Sequence, residues 1–383
     1  MKYRMRTLVI LVVLFPAPLV ACLWDSDTLE EERRQFPSVL ELITGKFLRH
    51  SPAFYEWRIE DRKKRLGQEP ENVDLYDDLA VAYEKTGQTD LAIETILKKE
   101  KISPGLYETY ANLGTFYIHA GRLKEGLKEI DKAIEINPDA HFGREVYQKL
   151  LVEYVLTKKR AHILNLPMND EYDGRPFGFA VHVMLKNREE GADWPSPDST
   201  KEAQAATKGV LGMMRFGNFD SPVLLEALAS LLLNEYDQTQ SKQLAARALL
   251  QASYVSEEPN QKAAYRTIAE QALSMQTRPG TIDQISLDEV ENQFLAELAE
   301  AKTWYERLAE QEERWMEAGL NPEEEFNKIY KEDVRVSSQP ALLPGENKDR
   351  HTRRESIPIV IAGLAILGAM MISWSRRHRK SGA

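Results

Sequence analysis

The side chains able to do chemistry in this chain are few and scattered. There is a single cysteine, Cys22, and seven histidines among 383 residues. One thiol can form neither an intramolecular disulfide nor the multi-cysteine set of a structural zinc site. No histidines stand in the HExxH spacing that puts two imidazoles on one helical face, and no Gly-rich phosphate loop or GxSxG elbow occurs. Asp74, Asp77 and Asp78 crowd one short stretch. A general acid and base need carboxyls whose surroundings push their pKa values apart, and a solvated helix face is the expectation for three at this spacing. His162 and His182 have no partner at motif spacing. No catalytic residue, metal site or cofactor is expected.

Composition narrows the field further. Apolar residues make up 43% of the chain and charged residues 29%, a globular balance. The formal net charge is −10, which argues against nucleic acid, whose phosphates require clustered Lys and Arg. The length accommodates about two ordinary domains.

Both ends carry membrane signals. Lys2, Arg4 and Arg6 precede the apolar run Leu8–Phe15, and Pro16-Ala17-Pro18 leads to Leu19-Val20-Ala21-Cys22. These are the parts of a secretory signal, removed after residue 21. The last four residues resemble the lipobox of bacterial lipoproteins, which implies lipidation of Cys22. At the other end, Ile357–Trp374 is 18 residues without a charge. As a helix it extends about 27 Å, enough for a bilayer core. Arg376, Arg377, Arg379 and Lys380 follow it, so the positive-inside rule puts the tail 375–383 in the cytoplasm and everything upstream outside. The exported N-terminus gives the same orientation independently.

Between these ends runs a repeat. Pro70, Pro104 and Pro138 are spaced 34 residues apart, and matching helix pairs occupy 73–104 and 107–140. Tyr110, Leu113, Gly114, Tyr117, Gly121, Gly126, Ala133 and Pro138 mark the second pair; Tyr76, Leu79, Ala80, Tyr83, Gly87, Ala92 and Pro104 mark the first. Small residues let paired helices approach, the aromatic and Leu positions form an apolar stripe, glycine opens the turn and proline stops the second helix. This pattern resembles the tetratricopeptide repeat family. The resemblance implies an all-α fold of stacked helical hairpins, a short α-solenoid that binds proteins or peptides along its inner face. The matching groove positions are Asp74, Asp77, Val81, Glu84, Ala111, Asn112, Thr115 and His119, with His119 a contact residue. Their acidic character favours a neutral or basic segment of a partner. Lys99 stands where the family has a small residue, which implies a looser contact or a lysine stem lying along the surface.

About three repeats are needed for stability, so the flanks must contribute. Upstream, 39–48 and 52–66 read as a degenerate pair, and Arg144–Val155 reads as a closing helix, giving a repeat domain over 39–157. After an N-terminal segment 22–38 and this domain comes an irregular connection, 158–200. A second helical-hairpin module occupies 201–280, with helices from Pro222, over 239–256 and over 260–275. Ser286-Leu287-Asp288-Glu289 is a capping box opening a long helix that Gly319 ends. Leu287, Phe294, Ala301, Leu308 and Trp315 recur every seven residues along it, while Glu291 and Glu312 interrupt the companion series. A helix lying on its own domain is favoured over a coiled-coil dimer. A short helix after Asn321-Pro322 completes 286–332, and 333–356 reads as a tether to the membrane helix. The expected function is a non-enzymatic scaffold or assembly factor on the outer side of a bacterial membrane. The alternative is an envelope enzyme with its site within 158–280 and the repeats as a docking arm.

Overall fold

The computed structural model describes residues 39–160, 163–168, 171–172, 175–176, 178–186, 197–234, 238–275 and 285–331. The expected signal peptide, Cys22, the segment 22–38, the tether, the apolar stretch 357–374, the basic tail and His162 lie outside the described residues. Among the described residues no helix is long and apolar enough to cross a membrane.

The two repeated segments fold as expected from their apolar spacing. Helices α1 (Val39–Thr44) and α2 (Pro52–Leu66) lead into α3 (Val73–Lys85) and α4 (Thr89–Ile102), then α5 (Tyr107–His119) and α6 (Leu123–Ile136). Ser51 caps α2 by accepting the Phe54 N–H, with Pro52 in the first helical turn, where its missing N–H costs nothing. Gly87 and Gly121 turn the chain between paired helices at φ of 76° and 75°, the left-handed region that side chains avoid. At both turns the next residue's N–H reaches back, from Gln88 to the Tyr83 carbonyl and from Arg122 to the Tyr117 carbonyl, each at 2.8 Å. These bonds satisfy carbonyls that the helix ends would otherwise leave open.

The upstream flank departs from the expected degenerate pair. Helix α2 packs on α3, but α1 is only six residues long and its helix neighbours come from the second half of the chain. Leu42 and Ile43 of α1 sit in that distant core, so burial there outweighs hairpin formation with α2.

Downstream, a 3-10 turn leads to α7 (Arg144–Lys158), which runs one turn beyond its expected end. Two short antiparallel ribbons follow, β1 (Lys159–Arg160) with β2 (Ile163–Leu164) and β3 (Glu171–Tyr172) with β4 (Arg175–Pro176). Then come α8 (Phe179–Lys186), α9 (Pro197–Phe216), α10 (Pro222–Leu233), α11 (Gln238–Val255) and α12 (Pro259–Ser274). Helix α10 is buried on nearly every side, in keeping with its sequence PVLLEALASLLL. The ordering of α8 and α9 shows that part of the expected irregular connection is helical.

Helix α13 (Leu287–Glu317) begins with the expected capping box: the Ser286 side chain accepts the Glu289 N–H, and Glu289 accepts the Ser286 N–H. One stripe, Val290, Phe294, Ala301, Trp304, Leu308, Glu312 and Trp315, is buried, and it lies against this chain's own α1, α2, α11 and α12. The long helix thus returns from the last helices of the array to the first. Gly319, at φ 71°, ends it, and α14 (Pro322–Phe326) continues as a π-helical turn to Lys331.

The largest core runs without a break from Leu123 and Ile130 of α6 through α7 and α10 to Phe294 of α13. The first repeat has a separate cluster around Ala80, Ala92, Ile96 and Phe116. Helix α5 belongs to both, giving Phe116 to one core and Ile118 to the other.

Candidate functional site

The first helices of the paired units, α3, α5 and then α7, present the face expected to bind a partner. Of the eight expected groove residues, only Asp74 is exposed, while the side chains of Glu84 and His119 are nearly buried. Asp77, Val81, Ala111, Asn112 and Thr115 are buried. The expectation of an open groove is therefore corrected for those five: they are consumed in joining the helices.

The joints form a polar ladder. Asn112 donates from Nδ2 to Asp77 Oδ1 at 3.1 Å, bridging α5 to α3. Two turns further along, His119 Nδ1 faces Glu84 Oε1 within hydrogen-bond distance. Gln148 of α7 donates to Thr115 Oγ1 at 3.2 Å, extending the ladder to the next helix. Lys85 closes the end by donating to the Gly217 carbonyl at 2.7 Å. Buried polar groups are costly unless paired, so each rung fixes the lateral register of neighbouring helices. Glu84 Oε2, His119 Nε2 and Gln148 Oε1 are enclosed without a hydrogen-bond partner among the described residues.

The pairing of α5 with α6 is closer still. A Cβ added at Gly126 would lie 2.7 Å from the Gly114 carbonyl oxygen and 2.5 Å from Ile118 Cγ1. One added at Gly114 would lie 2.7 Å from two carbons of Ile130. The family model of the tetratricopeptide repeat matches residues 107–140, the same α5–α6 hairpin. Residues 107–140 are a tetratricopeptide repeat. No curated protein and no solved structure matches the chain significantly.

The hairpin preceding this tetratricopeptide repeat, α3–α4, keeps its register but changes two inner residues together. Asp77 and Lys99 stand 34 positions before Ala111 and Ala133. Lys99 is buried, and its ammonium donates to Asp77 Oδ2 at 2.5 Å. It is thus neither a loose contact nor a stem along the surface. Burial pushes the Asp77 carboxyl up to about 7, against the opposing pull of Lys99 and Asn112. Two coordinated departures of opposite charge were the sequence signal for this pair.

The three aspartates do not form an acid–base pair, nor a wholly solvated face. Asp77 is taken by Lys99 and Asn112, Asp78 accepts from Arg62 Nε at 2.9 Å, and Asp74 faces solvent. His182 packs its ring 5.4 Å from that of Tyr154, and burial lowers its pKa. Glu226 of α10 accepts the Met168 N–H at 3.0 Å and the Tyr265 hydroxyl at 2.9 Å, pinning the connection to the array. Among the described residues no group of His, Cys, Asp and Glu gathers to hold a metal ion.

A second polar cluster, unforeseen from the sequence, lies where α13 and α14 meet α2. Glu312, fully buried, accepts the Ser51 N–H at 2.7 Å and faces His50 Nδ1 at 2.5 Å. Glu323 receives Arg58 Nη2 at 3.1 Å on Oε1 and Arg62 Nη2 at 2.6 Å on Oε2. Residues more than 260 apart in sequence meet here, beyond the reach of motif spacing. The one available hint was Glu312 interrupting, as Glu291 does, the companion series along α13.

Proposed function

We propose that this chain is a non-enzymatic protein–protein interaction scaffold or assembly factor of the bacterial envelope. Tetratricopeptide repeats generally hold protein or peptide partners. The observation that carries the reading is the stack of two such hairpins, sealed inside and exposing recurrent aliphatic side chains among charged ones outside. Ile102 and Ile136 occupy the same position of consecutive hairpins and are 40% and 48% exposed. Leu91 and Leu97 of α4 are open to a similar degree. Apolar groups recurring on a rigid surface are suited to a partner. The partner is a protein or peptide, and exposed Asp74 favours a neutral or basic segment. In this proposal Ile357–Trp374 spans the membrane, the tail 375–383 is cytoplasmic and the bulk faces outward. Cys22 is a lipid attachment point.

The test places a photo-crosslinking residue at Leu91, Ile102 or Ile136 of the full chain in its membrane, with exposed Glu270 of α12 as the control position. A discrete adduct from the repeat positions and none from Glu270 is the expected result. Equal or absent labelling at all four positions contradicts the proposal.

A further inference from the structure

The cleft on α2 where the chain's own segment 321–331 is seated has the composition of a peptide-binding site, separate from the repeat surfaces discussed above. Arg58 and Arg62, one turn apart on α2, are both buried, and together they hold both oxygens of Glu323. Each guanidinium has further partners: Arg58 lies 4.5 Å over the Phe54 ring, and Arg62 pairs with Asp78. Beside the arginines, His50 stacks on Phe54 with centroids 3.6 Å apart and planes 8° from parallel. Phe326 inserts its ring 4.3 Å from His50, and Tyr330 follows at 4.7 Å from Phe326. A carboxylate and an aromatic ring three residues later are therefore read by separate parts of one cleft.

The seated segment is built as a short, self-contained ligand. Asn321 caps it by accepting the N–H groups of Glu323 and Glu324, so its single helical turn is organised by its own residues. It is set off from α13 by the left-handed Gly319, with Leu320 exposed. It is held by the Glu323 carboxylate on Arg58 and Arg62 of α2 and by the Phe326 ring against His50 just before α2. Glu323 meets both guanidiniums with one carboxylate, adding to the pairing of Arg62 with Asp61 and Asp78, and charge-assisted bonds of this kind favour an anion at that place in the cleft. The cleft thus specifies the chemistry of whatever fills it.

We infer that the α2 cleft, walled by Arg58, Arg62, Phe54 and His50, is a receptor for a partner peptide carrying glutamate followed three residues later by an aromatic residue, held closed by the chain's own Glu323 and Phe326. A covalently joined ligand acts at high effective concentration, so the intact chain presents the receptor filled. A partner segment gains access when the resident one is displaced.

The experiment uses the full chain with a protease site inserted between Gly319 and Leu320, and a fluorescent peptide spanning residues 320–331 as the probe. Uncut chain should bind the probe weakly. Cleavage should allow exchange and raise binding at least tenfold, measured by anisotropy. A probe with Glu323→Lys or Phe326→Ala should fail to exchange. A second chain, intact but bearing Glu323→Lys, should take up the wild-type probe without cleavage. Absence of exchange after cleavage together with no uptake by the Glu323→Lys chain overturns the inference. So does equal exchange of the wild-type and Glu323→Lys probes.

Discussion

At the residue scale, the Asp77–Lys99 pair shows how one hairpin of a repeat can replace an apolar joint with an ionic one. The next hairpin fills the same two places with Ala111 and Ala133. Removing Lys99 alone leaves a buried carboxylate without its cation, a loss of about 3–5 kcal/mol. Replacing both, Asp77→Ala with Lys99→Ala, installs the pattern of the following repeat, and most of that loss should be recovered in denaturant unfolding. The pair also makes stability depend on pH. Because burial raises Asp77 to about 7, the folded chain holds this proton more tightly than the unfolded chain does. Its contribution is complete below the ordinary carboxyl range and is lost as pH rises through about 7. Wild-type stability relative to the double variant should therefore fall from about pH 5 to about pH 8. A flat or rising difference would contradict the upward shift of the buried Asp77 carboxyl. Reading this pair from sequence required treating two departures from a pattern as one event; taken singly, Lys99 resembled a surface lysine.

Individual elements were legible where local rules decide them. The period of 34 gave both hairpins, the turn glycines and the stops, and the Ser286–Glu289 capping box gave the start of α13. Rules of that kind act within a few residues. They fail for α1, whose Leu42 and Ile43 are buried by helices from the far half of the chain, and for Glu312, whose partners are His50 and Ser51. Helices α5 and α6 approach closely at Gly126, where an added Cβ would lie 2.7 Å from the Gly114 carbonyl oxygen. Gly126→Ala should destabilise the chain even though alanine, as Ala92, fills the same place one repeat earlier. Overpacking there costs about 1–3 kcal/mol. Replacing a helical glycine returns only about 0.5–1 kcal/mol. Thermal unfolding of Gly126→Ala should show a lowered Tm; an unchanged or raised value would mean that α5 and α6 separate freely.

For the whole molecule, the return of α13 from α11 and α12 to α1 and α2 turns an array with two ends into a closed body. The resemblance to the repeat family was readable from spacing, but the sealing of the inner face was not, because it depends on which residues of non-adjacent helices meet. Asp77, Val81, Ala111, Asn112 and Thr115 lie on α3 and α5, the helices expected to line the groove, but are buried between helices. What spacing could not give was that Asn112, Gln148 and Lys99 would take up the polar atoms of that face. A scaffold of this form offers partners its outer helices and the α2 cleft rather than a hollow groove. The presence of only one native cysteine makes the claim directly measurable. In a Cys22→Ser chain, single cysteines at Val81, Thr115, Leu91 and Ile136 can each be challenged with a maleimide under native conditions. Leu91→Cys and Ile136→Cys should label rapidly, while Val81→Cys and Thr115→Cys should label only once the chain is unfolded. Rapid native labelling at Val81→Cys and Thr115→Cys, matching that at Leu91→Cys, would show an open groove and contradict the account.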